Sequence, residues 1–124
     1  MTGTIAFATR GAMAGLLLLA IANPVWAHAF LEKASPPVGS QSPVSPAELT
    51  LRFTEPVEPL FCAIQLLGPS GAAIEVAAPK PIENAQGLVV ALPKLQAGTY
   101  TVVWHVTSVD THKTEGRFQF SVGP

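Results

Sequence analysis

The chain has 124 residues and a formal net charge of −1, with 7 Lys and Arg residues against 8 Asp and Glu. This length accommodates one domain, and the near balance of charge argues against nucleic-acid binding, which needs a basic face. The single cysteine excludes an intrachain disulfide framework and any multi-cysteine zinc or iron–sulfur site. The 12 prolines argue against a helical bundle, because proline breaks helix interiors, and they favour an all-β domain with many turns.

Residues 1–27 have the pattern of a secretory signal peptide. Arg10 is their one charged residue, an apolar run covers 11–22, and Val25 and Ala27 provide the small residues that precede a cleavage site. A single transmembrane anchor is the alternative, but it needs about 20 apolar residues, and this run is shorter. We therefore predict cleavage after Ala27 and an exported domain over residues 28–124 with no membrane span.

The rest of the chain has the two-residue periodicity of short β-strands separated by proline and glycine clusters. The clearest segment is 99–108, in which Tyr100, Val102 and Trp104 share one face. In order, the predicted strands cover residues 29–33, 48–54, 62–67, 72–77, 88–92, 99–108 and 115–122. About seven short strands in one small domain predict a Greek-key β-sandwich or small barrel that is Ig-like in the broad sense.

His28 becomes the first residue of the exported domain if cleavage follows Ala27. Its free α-amine and its imidazole Nδ1 then form a chelate ring on one metal ion. The amine has an ordinary pKa of about 7.7–8.0, so a metal displaces its proton easily near neutral pH. The alternative is that the residue after the cleavage site is arbitrary and exposed.

Asp110 and His112 follow the strand predicted over 99–108. In extended geometry, residues two apart project to the same side, so the pair presents a carboxylate and an imidazole together. With His28 they form a set of nitrogen and oxygen donors that suits Cu(II) better than tetrahedral zinc. The alternatives are a turn role for Asp110, bonded to backbone, and an exposed loop position for His112.

Glu55 continues the inward parity of Leu51 and Phe53 but is charged, and it stands immediately before Pro56. An inward carboxylate needs a partner. One candidate is a supporting hydrogen bond to a metal-bound histidine or to the terminal amine. Fraying of the strand end into solvent is the alternative.

The remaining candidates favour structural roles. His105 has outward parity and is predicted to lie on the sheet surface, whereas Cys62 alternates with apolar residues and is predicted to be a small buried hydrophobe. Met1 and Met13 both lie in the predicted signal peptide. A Cu(I) site is therefore not expected, since that ion selects several Met or Cys ligands.

The sequence resembles the CopC-type periplasmic copper-binding proteins of bacteria over essentially all of residues 28–124. The resemblance is carried by the segments HAFL from His28, SPPVG from Ser35, LTLRFTEPV from Leu49, GTYTVVWHVTSVDTH from Gly98 and GRFQF from Gly116. The long segment from Gly98 is the most specific of these.

The resemblance implies a Greek-key barrel or cupredoxin-like sandwich with one Cu(II) ion held by His28, Asp110 and His112, and with Glu55 in a supporting role. It also implies the periplasm as location and an inner-membrane importer of the CopD type as a possible partner. Thr111 stands where the family often has glycine, and His105 stands where it often has arginine. The Met-rich Cu(I) site of some members has no counterpart in this sequence.

The leading hypothesis is a Cu(II)-binding protein for copper sequestration or delivery, which uses an N-terminal histidine brace and is not an enzyme. One alternative is a small copper-dependent oxidative enzyme similar to polysaccharide monooxygenases. The small size of the domain and the charge of Asp110 oppose it. The other alternative is a metal-free Ig-like interaction module, in which replacing His28 or His112 has no effect on metal binding.

Overall fold

The computed structural model describes residues 28–124, and the predicted signal peptide lies outside this range. The described part consists of strands and one short 3₁₀ turn, Pro59–Phe61, arranged in two sheets. The strands are β1 (Leu31–Ser35), β2 (Gln41–Ser42), β3 (Glu48–Phe53), β4 (Ala63–Leu67), β5 (Ala73–Ile74), β6 (Lys80–Ile82), β7 (Gly87–Ala91), β8 (Gly98–Thr107) and β9 (Lys113–Val122). Nothing in residues 28–124 is a helix long and apolar enough to cross a membrane.

The two sheets form the predicted all-β sandwich. One sheet has the strand order β1-β3-β7-β6, and the other has the order β2-β9-β8-β4-β5. All neighbouring strands are antiparallel except the short parallel pair of β2 and β9. The prediction of an all-β sandwich is therefore confirmed.

The predicted number of strands was too low, because residues 28–124 contain nine rather than about seven. The two additional strands, β2 and β6, have two and three residues, which is too short to show a two-residue period. β6 also contains Pro81, which an edge strand tolerates because one side of its backbone needs no ladder partner. The strand predicted over 72–77 pairs only at Ala73–Ile74.

The core lies between the sheets and is formed by the inward faces of the long strands. Phe53 of β3 meets Trp104 of β8 edge to face, with ring centroids 5.3 Å apart, a favoured aromatic geometry. Tyr100 and Trp104 are both buried, as their predicted core roles require. The largest side chains that are fully buried are Leu49, Leu51, Phe53, Val57, Leu66, Leu88, Val90, Val102, Val106 and Phe120.

Gly116 provides the space in which the Trp104 indole lies. The two residues are directly paired across β8 and β9. A Cβ atom at position 116 would lie 2.6 Å from Trp104 Cζ2, closer than van der Waals contact permits. The indole therefore packs over the glycine and reaches the core beside Phe53.

We expect Gly116→Ala to destabilise the domain by about 1–3 kcal/mol, because the indole must shift out of a packed core. The measurement is equilibrium unfolding in urea. The matched control is Arg117→Ala on the exposed face of the same strand, which should change stability by less than about 0.5 kcal/mol. Equal stability of the two variants would show that the Trp104 indole does not need the space that Gly116 leaves free.

Candidate metal site

The segment that precedes β1 is fastened to the end of β3 through one threonine. The Thr54 hydroxyl donates to the His28 carbonyl (3.2 Å) and accepts from the Phe30 amide (3.0 Å). The Thr54 amide in turn donates to the Phe30 carbonyl at 2.8 Å. These three bonds hold the backbone on both sides of Ala29 against the first sheet.

A second threonine fastens the same segment to the other sheet. Ala29 is completely buried, and its carbonyl accepts a hydrogen bond from the Thr114 hydroxyl of β9. A buried carbonyl needs such a partner, because leaving it unsatisfied is costly. His28 is therefore placed where the two sheets meet, at the end of the sandwich that carries the β8–β9 loop.

The β8–β9 loop covers residues 108–112 and is a tight turn. Ser108 and His112 close it through a backbone bond of 2.9 Å, and the Thr111 amide donates to the Ser108 carbonyl at 2.8 Å. Thr111 has a φ of +73°, a conformation that is unusual for a β-branched residue. The extended geometry predicted for Asp110 to His112 is therefore wrong, although the turn still places the two side chains together.

The structure brings the sequence-predicted ligands to one place. The imidazole rings of His28 and His112 have centroids 4.5 Å apart, at an interplanar angle of 44°. His112 Nδ1 lies 3.1 Å from Asp110 Oδ1. Residues separated by more than eighty positions in the sequence are thus neighbours at the end of the sandwich.

Asp110 is kept in its ionised form by the loop that carries it. The buried Ser108 hydroxyl donates to Asp110 Oδ1. This bond is the main cause that lowers the pKa of the Asp110 carboxyl below its usual range, and His112 adds to it. A carboxylate with a lowered pKa is available to a metal or to an imidazolium at neutral pH.

Glu55 is half-buried. Its two neighbours in the sequence contact the segment that carries His28 and the loop that carries Asp110. Thr54 bonds His28, as described above, and the Pro56 carbonyl accepts from the Val109 amide at 3.2 Å. This position is compatible with the predicted supporting role of Glu55, which stays a prediction.

His105 lies on the exposed face of β8, as its parity predicts, and its Nδ1 is 3.3 Å from Glu115 Oε1. Cys62 is only half-buried, which is less than predicted, and its thiol donates to the Glu58 carbonyl at 3.2 Å. Burial raises the pKa of the Cys62 thiol, so it is a poor thiolate ligand.

Sequence reasoning missed the residues that position the ligands, namely Thr54, Ser108 and Thr114. Thr114 shares the inward parity of Phe118 and Phe120, and a polar residue at an inward position signals a specific hydrogen bond. Thr54 and Ser108 have no comparable signal, since each appears in the sequence as an ordinary residue at a strand end.

No three His, Cys, Asp or Glu side chains within residues 28–124 lie close enough to hold a metal ion unaided. The imidazoles of His28 and His112 are neighbours at a tilted angle, and the Asp110 carboxylate contacts the ring of His112. A further nitrogen at this place is the α-nitrogen of His28, which is a peptide nitrogen as long as residues 1–27 are attached.

The sequence of this small all-β sandwich matches a known family. The profile of the CopC domain matches residues 31–123. Protein YobA of Escherichia coli K12 is 42% identical over 115 residues, which cover 91% of this chain and 93% of that protein. Copper transport protein CutJ of Bacillus subtilis is 30% identical over 110 residues, covering 87% of this chain but 20% of that protein.

The fold comparison agrees with the sequence comparison. The crystal structure of CopC from Methylosinus trichosporium OB3b superposes with a TM-score of 0.74 at 34% identity, covering 78% of this chain and 95% of that one. The chain belongs to the CopC domain family. Members of this family bind copper and are not enzymes, so the monooxygenase alternative is set aside.

The loop that carries Asp110 and His112 should contain measurable backbone strain at Thr111. We expect Thr111→Gly to be about 1 kcal/mol more stable than Thr111→Ala, because glycine adopts the positive φ without a Cβ clash. Both variants lose the hydroxyl, so their difference reports the backbone alone. Thermal unfolding measures it, and an alanine variant as stable as the glycine variant would contradict the strain.

Proposed function

We propose that residues 28–124 form a periplasmic Cu(II)-binding protein that sequesters or delivers one copper ion through an N-terminal histidine brace. The observation that carries the proposal is the approach of His28 to His112, with ring centroids 4.5 Å apart. The brace consists of the α-amine and Nδ1 of His28 and one nitrogen of His112. Copper sequestration and copper delivery both require binding of the ion by these groups, and neither requires a catalytic residue.

The chemistry of the donors favours Cu(II). Three nitrogens and one carboxylate oxygen suit its tetragonal preference, and Cu(II) stands at the top of the affinity order for divalent first-row metals. Zinc prefers a tetrahedral arrangement. The exported domain has no methionine, so the soft ligands of a Cu(I) site are missing from it.

Asp110 is proposed to act in two ways. Its Oδ1 faces Nδ1 of His112, a contact that orients an imidazole and favours metal binding through Nε2. The same carboxylate is proposed to serve also as the weak oxygen ligand of the ion. Glu55 is proposed to support the terminal amine or a histidine from the neighbouring strand end.

The predicted signal peptide and the relatives support the proposed location and the proposed partner. An export sequence followed by a CopC domain favours the periplasm. The proposed partner is a copper transport protein, specifically an inner-membrane importer of the CopD type. In its favour, the stretch of Bacillus subtilis CutJ that is similar to this chain covers 20% of a longer copper transport protein.

The brace predicts that copper affinity depends on a free α-amine at His28. Adding one alanine before His28, or making His28→Ala or His112→Ala, should weaken Cu(II) binding by more than about 100-fold, since the loss of supporting groups alone costs 10–100-fold. Competition titration with EPR detection measures it. His105→Ala is the matched control and should bind normally, because its ring pairs with Glu115 on another face.

Unchanged affinity after the alanine extension would contradict the brace. Unchanged affinity in both histidine variants, with no thermal shift on adding Cu(II), would instead favour the metal-free interaction module. Tight binding to the folded state must raise the melting temperature.

Thr54 and Thr114, which hold the segment of His28 by hydrogen bonds, should contribute to copper affinity without contacting the ion. Thr114→Val keeps the shape of the side chain but leaves the buried Ala29 carbonyl without its partner, which should cost about 1–3 kcal/mol. If about half of that cost appears only in the copper-bound form, Cu(II) binding weakens by roughly 2- to 12-fold. Thr99→Val, on the exposed face of β8, is the control. Equal copper affinity of the two variants would contradict the positioning role.

A further inference from the structure

Residues 54–58 connect β3 to the 3₁₀ turn, and this bridging segment is bonded to both parts of the proposed copper site. At its start, Thr54 holds the segment that carries His28, as described above. At its end, the Glu58 amide donates to the Thr107 carbonyl at 2.8 Å, at the base of the loop that carries the other two proposed ligands. The bridging segment therefore connects the backbone of His28 to the β8–β9 loop.

The β6–β7 turn, residues 83–86, holds the bridging segment from the side of the first sheet. The Val57 amide donates to the Ala85 carbonyl at 2.8 Å. Gln86 forms two bonds to Phe53, the residue that directly precedes the bridging segment. Its carbonyl accepts from the Phe53 amide at 2.8 Å, and its side-chain Nε2 donates to the Phe53 carbonyl at 3.0 Å. The turn thus fixes both the start and the middle of the segment.

Gln86 continues the ladder between β3 and β7 by one residue pair, with its side chain in place of its backbone amide. The regular ladder ends where Arg52 pairs with Gly87. Phe53 and Gln86 would be the next pair and would exchange two backbone bonds. Only one of these forms, because the Gln86 amide donates instead to the Glu83 carbonyl at 3.1 Å within the turn. The side-chain amide supplies the donor that this backbone amide does not provide to the Phe53 carbonyl.

The turn that carries Gln86 has an unusual backbone. Glu83, Asn84 and Ala85 have φ values of +52°, +56° and +64°, and three consecutive residues with a Cβ in the left-handed region are rare. Such conformations persist where neighbouring groups hold them, and they cluster at functional sites. The Arg52 guanidinium holds this one by donating to the Glu83 carboxylate at 2.7 Å. A two-residue turn closes most hairpins, so the bonds of Ala85 and Gln86 to the neighbouring chain account for the longer, strained path.

We propose that Gln86 is a positioning residue of the copper site and not a ligand. By holding the end of β3 through Phe53, it fixes the position of Thr54. The Thr54 hydroxyl in turn bonds the His28 carbonyl, so the bond to Phe53 sets where His28 lies relative to His112. Metal ligands must be held to within about 0.5 Å, and the loss of supporting groups weakens metal binding by about 10–100-fold. The inference rests on the proposed function, since it assigns a role at the same site.

Cu(II) titration with EPR detection of Gln86→Leu and Gln41→Leu tests the proposal. The full chain is expressed with its signal peptide, and the exported protein is purified. Leucine removes the amide donor without adding a copper ligand. Gln41 is the matched control, because its Nε2 donates to the Gly123 carbonyl at 2.7 Å in a bond that is half-buried like that of Gln86. The 10 residues of β9 separate Gly123 from the β8–β9 loop.

Both variants should lose similar stability, with the melting temperature lowered by about 4–8 °C for one lost hydrogen bond. Only Gln86→Leu should weaken Cu(II) binding, by about tenfold or more, and change the hyperfine splitting in the EPR spectrum of the bound copper. In the metal-free protein, Gln86→Leu should also weaken the nuclear Overhauser effect between the rings of His28 and His112. Gln41→Leu should leave that effect unchanged.

The positioning role is overturned if the wild-type protein binds Cu(II) and Gln86→Leu binds it with the same affinity and the same spectrum. It is also overturned if both variants lose affinity equally, since the loss would then follow stability alone. If the wild-type protein does not bind Cu(II), the proposed function is overturned instead. The nuclear Overhauser comparison in the metal-free proteins then decides by itself whether Gln86 positions His28.

Discussion

Hydrogen bonds from two threonine hydroxyls hold residues 28–30 in position, and the proposed site depends on that position. Thr54 belongs to the end of one sheet and Thr114 to the other. Together they tie the carbonyls of His28 and Ala29 into the seam of the sandwich. Without these bonds the segment before β1 would not be held against either sheet, and the His28 imidazole would have no fixed position relative to His112.

The second half of the site is held by the β8–β9 hairpin. The ladder between these strands runs from Gly98–Val122 to Thr107–Lys113, so the loop of residues 108–112 starts from a rigid base. Ser108 is completely buried and bonds both Asp110 and the His112 carbonyl. The positive φ of Thr111 costs about 1–2 kcal/mol. The stability of the surrounding hairpin maintains this conformation, which fixes His112 before any metal arrives.

Preorganisation of this kind explains how a small domain can bind an ion with few ligands. Cu(II) gains little from side chains that must first be ordered, because each immobilised side chain costs about 0.5–1.5 kcal/mol. Here the backbones of both histidines already accept hydrogen bonds, His28 from the Thr54 hydroxyl and His112 from the amide of the buried Ser108. The charge of Asp110 is fixed as well, through the Ser108 hydroxyl that lowers its pKa.

The fold and the candidate ligands were largely predictable from the sequence, whereas the reason for their approach was not. The alternation of apolar and polar residues in segments such as 99–108 predicted the long strands. The spacing of Asp110 and His112, together with a histidine directly after the predicted cleavage site, predicted the candidate ligands. The short strands β2 and β6 show no period, and the turn at Thr111 resembles an extended segment when only spacing is considered. Thr54 and Ser108 act through partners distant in sequence, which a single sequence does not reveal.

The most direct measurement is a crystal structure of residues 28–124 grown with one equivalent of Cu(II). We predict one ion bonded to the α-amine and imidazole of His28 and to an imidazole nitrogen of His112, with the sandwich otherwise unchanged. An ion bound at the His105–Glu115 pair, or held by His28 while His112 points elsewhere, would contradict it.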